Sequence, residues 1–321
     1  LKAMFISNAD TGGKMKMSMV SLCLDTDNLF NEGLRLNRAM DYTDIYNFHA
    51  HTTFTEKDKI LGIRKNYVEE NMEAKMKSTN RDIPFWLTEA GIYILLEDGR
   101  SELTVAQLKD QARYLTTATV EALSLGVDKV FWFIWPKYIE NNQEMGTFDI
   151  NGNPNAAYQA EAICSYMLGK GEYKGIIESS DINGHVFDNG KNDVMVLWTD
   201  APQTYEIKTD KPVTVTDMMG QSSVMQPTDG KVCVDAAYYP IYVTLDGRLD
   251  ESEYYPRKYS ADTELKREFT PAERIILQQT FEGKESADAR SNGYELEDGK
   301  EEHMTLTVNN LNSEEKTVLL K

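Results

Sequence analysis

Cysteine is scarce in this chain. There are three in 321 residues, at positions 23, 164 and 233, far apart and in no metal-ligand spacing. An odd count excludes a fully paired disulfide framework, although a large secreted domain folds without one. No apolar run approaches the length of a membrane span, and no leader pattern is visible at the N-terminus. Basic residues are outnumbered, 34 Lys and Arg against 52 Asp and Glu, for a net charge of −18. A surface that acidic repels phosphate backbones and anionic lipid, so neither nucleic acid nor membrane is expected as a partner. No Gly-rich loop follows any candidate strand, which removes the usual dinucleotide sites and with them an obvious cofactor.

What is present is length enough, at 321 residues, for two or three domains. Residues 1–171 alternate short apolar runs with longer helical patterns. The runs at 4–6, 45–48, 84–88 and 130–135 read as strands, each followed by a helix candidate. Leu29, Gly33, Leu36 and Met40 keep helical spacing, as do Ile60, Ile63, Tyr67, Met72 and Met76. The clearest series is Leu108, Ala112, Leu115, Ala118, Ala122 and Leu125, stopped by Gly126. The last helix starts after Asn153-Pro154 and stops at Gly169. Four βα units in series imply parallel strands with helical crossovers. Short, almost continuously apolar strands fit a sheet buried on both faces. A (β/α)8 barrel takes about 250 residues, so these units amount to roughly half of one. A strand at the very start of the chain would make it a piece of something longer. A small open α/β sheet, complete as it stands, is the plainer alternative.

Beyond residue 171 the helical period disappears. Strand-like runs separated by Asp188-Asn189-Gly190, Met219-Gly220 and Asp229-Gly230 predict an antiparallel β-sandwich over 172–247. Residues 248–270 are charged and irregular and read as a linker. Residues 271–321 begin a further β-rich unit, with Met304, Leu306 and Val308 alternating with threonines.

Three segments end apolar runs in groups capable of chemistry. In 83–91, a buried run leads to Glu89 and then Ala90-Gly91. A carboxylate there is costly unless it is bonded or used. A salt bridge to a neighbouring loop explains it as well as catalysis does. In 44–51, His49 and His51 stand at i and i+2, so both imidazoles point to one side of a strand. Two histidines supply half of a metal site, but no third ligand stands at motif spacing, and a hydrogen-bonding role beside a carboxylate suits them better. No metal is expected. In 131–136, Trp135 ends the apolar run; an indole at a barrel mouth offers a face to a sugar ring. Trp132 reads as core.

The order of these segments, followed by Asp149-Ile150-Asn151-Gly152-Asn153-Pro154-Asn155-Ala156-Ala157-Tyr158 and a helix, resembles strands six to eight of the clan A retaining glycoside hydrolases. It is similar in particular to their β-xylosidase-like and agarase- and porphyranase-like members. The run from Val194 to Trp198 and the Asp217-Met218-Met219-Gly220 turn resemble the β-sandwich packed against such barrels. The resemblance covers about residues 1–247. It implies a glycosidase acting on a β-linked polysaccharide or oligosaccharide by double displacement. Glu89 matches the nucleophile, His49 and His51 match groups near the nucleophile or sugar, and Trp135 matches a subsite platform. The partner acid belongs at the end of strand four, after an asparagine. Asn31-Glu32 is the only Asn-Glu pair before Glu89, and it lies in a helical pattern. The chain is therefore expected to lack its acid/base residue and to be inactive alone. A polymeric substrate implies an extracellular or periplasmic location. The rival readings are a non-catalytic carbohydrate-binding protein on a degenerate barrel and an unrelated α/β enzyme with a β-rich accessory domain.

Overall fold

The computed structural model describes residues 2–18, 22–23, 39–54, 63, 65–79, 81–97, 99–177, 179–256, 275–281, 304–310 and 315–320. Strands β1 (Leu22–Cys23), β2 (Tyr46–Phe54), β3 (Phe85–Leu95) and β4 (Lys129–Trp132) run parallel in that order. Helix α1 (Lys2–Asp10) precedes them, α2 (Lys65–Ser78) lies between β2 and β3, and α3 (Val105–Ser124) lies between β3 and β4.

The expected strand at residues 4–6 is instead part of α1, and the first parallel strand is β1. A short apolar run carries no period of its own. Here Phe5 and Ile6 are buried while Met4 is 63% exposed, and the helix ends before Gly12 at φ +67°. The other strands shift too. β2 and β3 run well past the residues expected to end them, and β4 stops at Trp132, short of Trp135.

One face of the sheet makes the first core. Tyr46, Phe48 and Ala50 of β2 join Phe85, Leu87, Ala90, Ile92 and Ile94 of β3 against Val68 and Met72 of α2 and Tyr114, Ala118 and Ala122 of α3. The Phe48 and Phe85 rings stack with centroids 4.6 Å apart. Helix α3 starts at a capping box, with Thr104 and Gln107 bonding each other's backbone, and the chain turns away at Gly126, φ +96°.

Helix α4 (Ala156–Leu168) leads into an antiparallel sheet. Its order is β12 (Ser222–Met225), β11 (Val213–Asp217), β14 (Ile241–Leu245), β9 (Asp193–Trp198), β8 (Asn183–Asp188), β7 (Glu172–Ile177) and β15 (Tyr254–Pro256). β10 (Gln203–Lys208) and β13 (Lys231–Ala236) form a second, two-stranded sheet. Alternation sorts β9: Met195 and Leu197 face Ile207, Val232 and Val234 of the small sheet, while Val194, Val196 and Trp198 face Val120, Cys164 and Leu168 of α3 and α4. Central strands buried on both faces explain why the helical period gives way to apolar runs there.

The segment read as a linker from 248 is structured to Pro256. The fully buried Asp193 carboxylate accepts from Lys174 Nζ at 2.7 Å, Arg248 at 2.9 Å and the Leu249 N–H at 2.8 Å. That anchor brings β15 onto β7. β16 (Ile275–Phe281), β17 (Met304–Asn310) and β18 (Glu315–Leu320) form an antiparallel three-stranded sheet. Among the described residues no helix is long and apolar enough to cross a membrane.

Candidate active site

A break in the alternation of β3 sets the site. Phe85 and Leu87 point into the core, and continued alternation would bury Glu89 there. Instead the core positions change phase to Ala90, Ile92 and Ile94. The pairing with β2 jumps from Phe48–Leu87 to His49–Glu89, and that with β4 from Leu87–Val130 to Ala90–Trp132. Thr88 is the extra residue of a β-bulge, which re-aims Glu89 to the face away from the helices. Its hydroxyl donates to Phe48 O at 3.4 Å and accepts from Asn47 Nδ2 at 3.5 Å. Glu89 therefore sits inside β3, where a turn had been expected after it.

On β2 the even positions 46, 48 and 50 are core, which leaves Asn47, His49 and His51 on the same face as Glu89. Glu89 Oε2 lies 3.2 Å from His49 Nδ1 and 3.2 Å from His51 Nε2. The carboxylate side chain is 33% exposed, His49 15% and His51 only 4%. One oxygen thus takes both imidazoles at the edge of solvent. Burial holds the His49 imidazole below its usual range; Glu89 pulls it upward and His51 pushes it down further.

His51 is wedged between Tyr93, centroids 5.4 Å apart, and Phe133, 5.7 Å apart and edge-on. Gly91 is required beside it. A Cβ there would stand 2.7 Å from Phe133 O and 3.0 Å from His51 Nδ1. Phe133 follows β4, its N–H donating to Ala90 O at 2.8 Å. Tyr138 packs edge-on against it, at the start of the hairpin of β5 (Ile139–Glu140) and β6 (Gln143–Glu144), which pairs with the end of β3. A part-buried Lys137–Glu144 ion pair at 3.0 Å holds the hairpin. Lower on the same face, Lys129 Nζ lies over the Trp86 ring, which touches Phe131.

His49, His51 and Glu89 are therefore brought together, as strand alternation implied for the two histidines. Trp135 is placed elsewhere: its indole N–H donates to Glu161 Oε2 of α4 at 3.1 Å, its ring meets Tyr158 edge-on, and it is 53% exposed. Burial raises the Glu161 carboxyl, with the Trp135 bond opposing. Trp132 packs into the core as expected. The Asn31-Glu32 pair lies outside the described residues. The sequence reading missed Phe133, Tyr93 and the glycine requirement at 91. Phe133 was legible in principle, being one alternation step from the core residue Trp132.

No family model and no curated protein matches this sequence. Solved structures do. A family 39 glycoside hydrolase from the gut symbiont Bacteroides cellulosilyticus WH2 superposes with a TM-score of 0.51 at 16% identity, over 68% of this chain and 47% of that one. A family 30 endoxylanase from Clostridium papyrosolvens C71 gives 0.48 at 13%, over 76% and 59%. A family 86 beta-porphyranase from the human gut bacterium Bacteroides plebeius gives 0.46 at 16%, over 87% and 52%. The chain thus spans about half the length of the solved structures it matches. In fold the chain is similar to the family 39 glycoside hydrolase, with a parallel βα part followed by antiparallel sheets.

Proposed function

We propose that this chain carries strands five to eight of a (β/α)8 retaining glycosidase, as β1 to β4, with the β-sandwich packed behind them. Glu89 is its nucleophile toward a β-linked polysaccharide or oligosaccharide. One observation supports this above the rest: within a glycoside-hydrolase fold, a bulge turns a strand carboxylate out of the core and two imidazoles hold a single one of its oxygens.

An ionised carboxylate accepts from both rings, so the nitrogens facing it, His49 Nδ1 and His51 Nε2, carry protons. They fix Oε2 and leave Oε1 to attack the anomeric carbon. A second carboxyl group, about 5–5.5 Å away in retaining enzymes, protonates the leaving oxygen and then activates water against the glycosyl-enzyme. That group belongs to strand four, which precedes β1 in the barrel order, so this chain alone is expected to be inactive. His49, His51 and Phe133 line the sugar site, and Trp135, exposed beside α4 and away from them, is a platform for a more distant sugar unit. Action on a polymer places the enzyme outside the cell or in the periplasm.

The test is to express the complete reading frame and assay it against a panel of polysaccharides, with Glu89→Gln beside it. Turnover in the variant is expected to fall at least about a thousandfold with folding intact. Near-normal turnover refutes the assignment.

A further inference from the structure

We infer that His49, His51 and Glu89 also form a binding site for one divalent transition-metal ion of zinc's class. The donor set is two imidazole nitrogens, whose protons move to the opposite ring nitrogens when the ion displaces them, and one carboxylate oxygen; it is that of an ion of intermediate softness with coordination positions left for water. The sequence hid it, because the third donor comes from another strand and is turned to this face only by the bulge.

The geometry carries the inference. His49 Nδ1 and His51 Nε2 each lie 3.2 Å from Glu89 Oε2, and the three atoms lie within 4.8 Å of one another. Ligands at about 2.0–2.2 Å around a tetrahedral ion stand roughly 3.3–3.5 Å apart. Both N···O edges are already close to that span, so only the N···N edge has to adjust. The donors sit on paired strands in fixed register, His49 opposite Glu89, and His51 is clamped between Tyr93 and Phe133. Glu89, a third exposed, leaves an open side for water.

Affinity has a ceiling in the same structure. His51 Nδ1 is buried with no hydrogen-bond partner among the described residues, whereas a metal-bound imidazole gains roughly 10–100-fold from an acceptor on its second nitrogen. An ion on Oε2 also occupies the carboxylate proposed as nucleophile. On that reading, and only on it, the ion inhibits hydrolysis.

The experiment uses the 321-residue chain, needs no substrate, and so stands apart from the glycosidase assay. Zn2+ binding is measured by calorimetric titration and by metal content after gel filtration. One equivalent is expected in the wild type. His49→Gln, His51→Gln and Glu89→Gln should each weaken binding at least about tenfold, while Cys233→Ser leaves it unchanged. Undiminished binding in the three variants, loss in Cys233→Ser, or no binding by the wild type overturns the inference. Should a variant fail to fold, the visible spectrum of the Co2+ form of the wild type decides: imidazole and carboxylate coordination without a thiolate band supports the site, and a thiolate band or a spectrum of free aqueous Co2+ contradicts it.

Discussion

Single atoms limit the site. A methyl group at position 91 would meet Phe133 O at 2.7 Å and the buried His51 ring at 3.0 Å, so Gly91→Ala must push one of them aside. Overpacking of this kind costs about 1–3 kcal/mol. Urea denaturation is expected to show that loss, and the His51 ring resonances should move. Unchanged stability with unmoved resonances would mean that the glycine is not needed. A second residue makes the fold sensitive to acid. Burial, joined by a smaller push from Lys65, lowers the His185 pKa to about 3, and its ring stacks on Trp198 at 5.2 Å. Because the folded pKa lies below the unfolded value of about 6.5, the unfolded chain binds the extra proton between those limits. Stability is therefore fully present above pH ~6.5 and declines at about 1.4 kcal/mol per unit as the pH falls toward 3. His185→Gln should flatten this slope in denaturation curves measured between pH 6.5 and 5, and an equally steep slope in the variant would assign it to other groups.

At the scale of elements, periodicity and capping decide what forms. Thr104 and Gln107 cap α3 reciprocally, so Thr104→Ala is expected to cost about 1 kcal/mol in urea denaturation. That helix was legible because its apolar residues keep one period for five turns and end at a glycine. The run at 4–6 was not, since three apolar residues fit a helix or a strand equally. The lengths of β2 and β3 escaped for a different reason. The polar residues that seemed to end them belong to a strand whose other face remains apolar. The bulge at Thr88 was hidden as well, because only pairing with two neighbours reveals an extra residue. His49 and His51 could be placed on one face from alternation alone, and Glu89 joined them through a register that no local pattern encodes.

At the scale of the molecule, the seven-stranded sheet is buried against the small sheet on one side and against α3 and α4 on the other. Arg113 of α3 pins that second boundary. Its Nε donates to Tyr238 O at 2.6 Å, its guanidinium lies 4.1 Å from the centre of the Tyr238 ring, and Asp200 stands 3.6 Å away. Most of that bond's worth comes from the buried donor rather than from Asp200, which is 86% exposed. Arg113→Ala is expected to cost about 2–3 kcal/mol. The βα part and the sandwich should also melt together in calorimetry, and two separated transitions in the wild type would contradict the shared core.

On the proposed mechanism, the Glu89 carboxylate is the group that bonds to sugar. A 2-deoxy-2-fluoro glycoside with a good leaving group traps the glycosyl-enzyme of a retaining glycosidase. Peptide mass spectrometry of the complete enzyme treated in this way should find the sugar ester on Glu89, and none in Glu89→Gln. An adduct on another carboxylate, or inactivation of the variant at the wild-type rate, would contradict it.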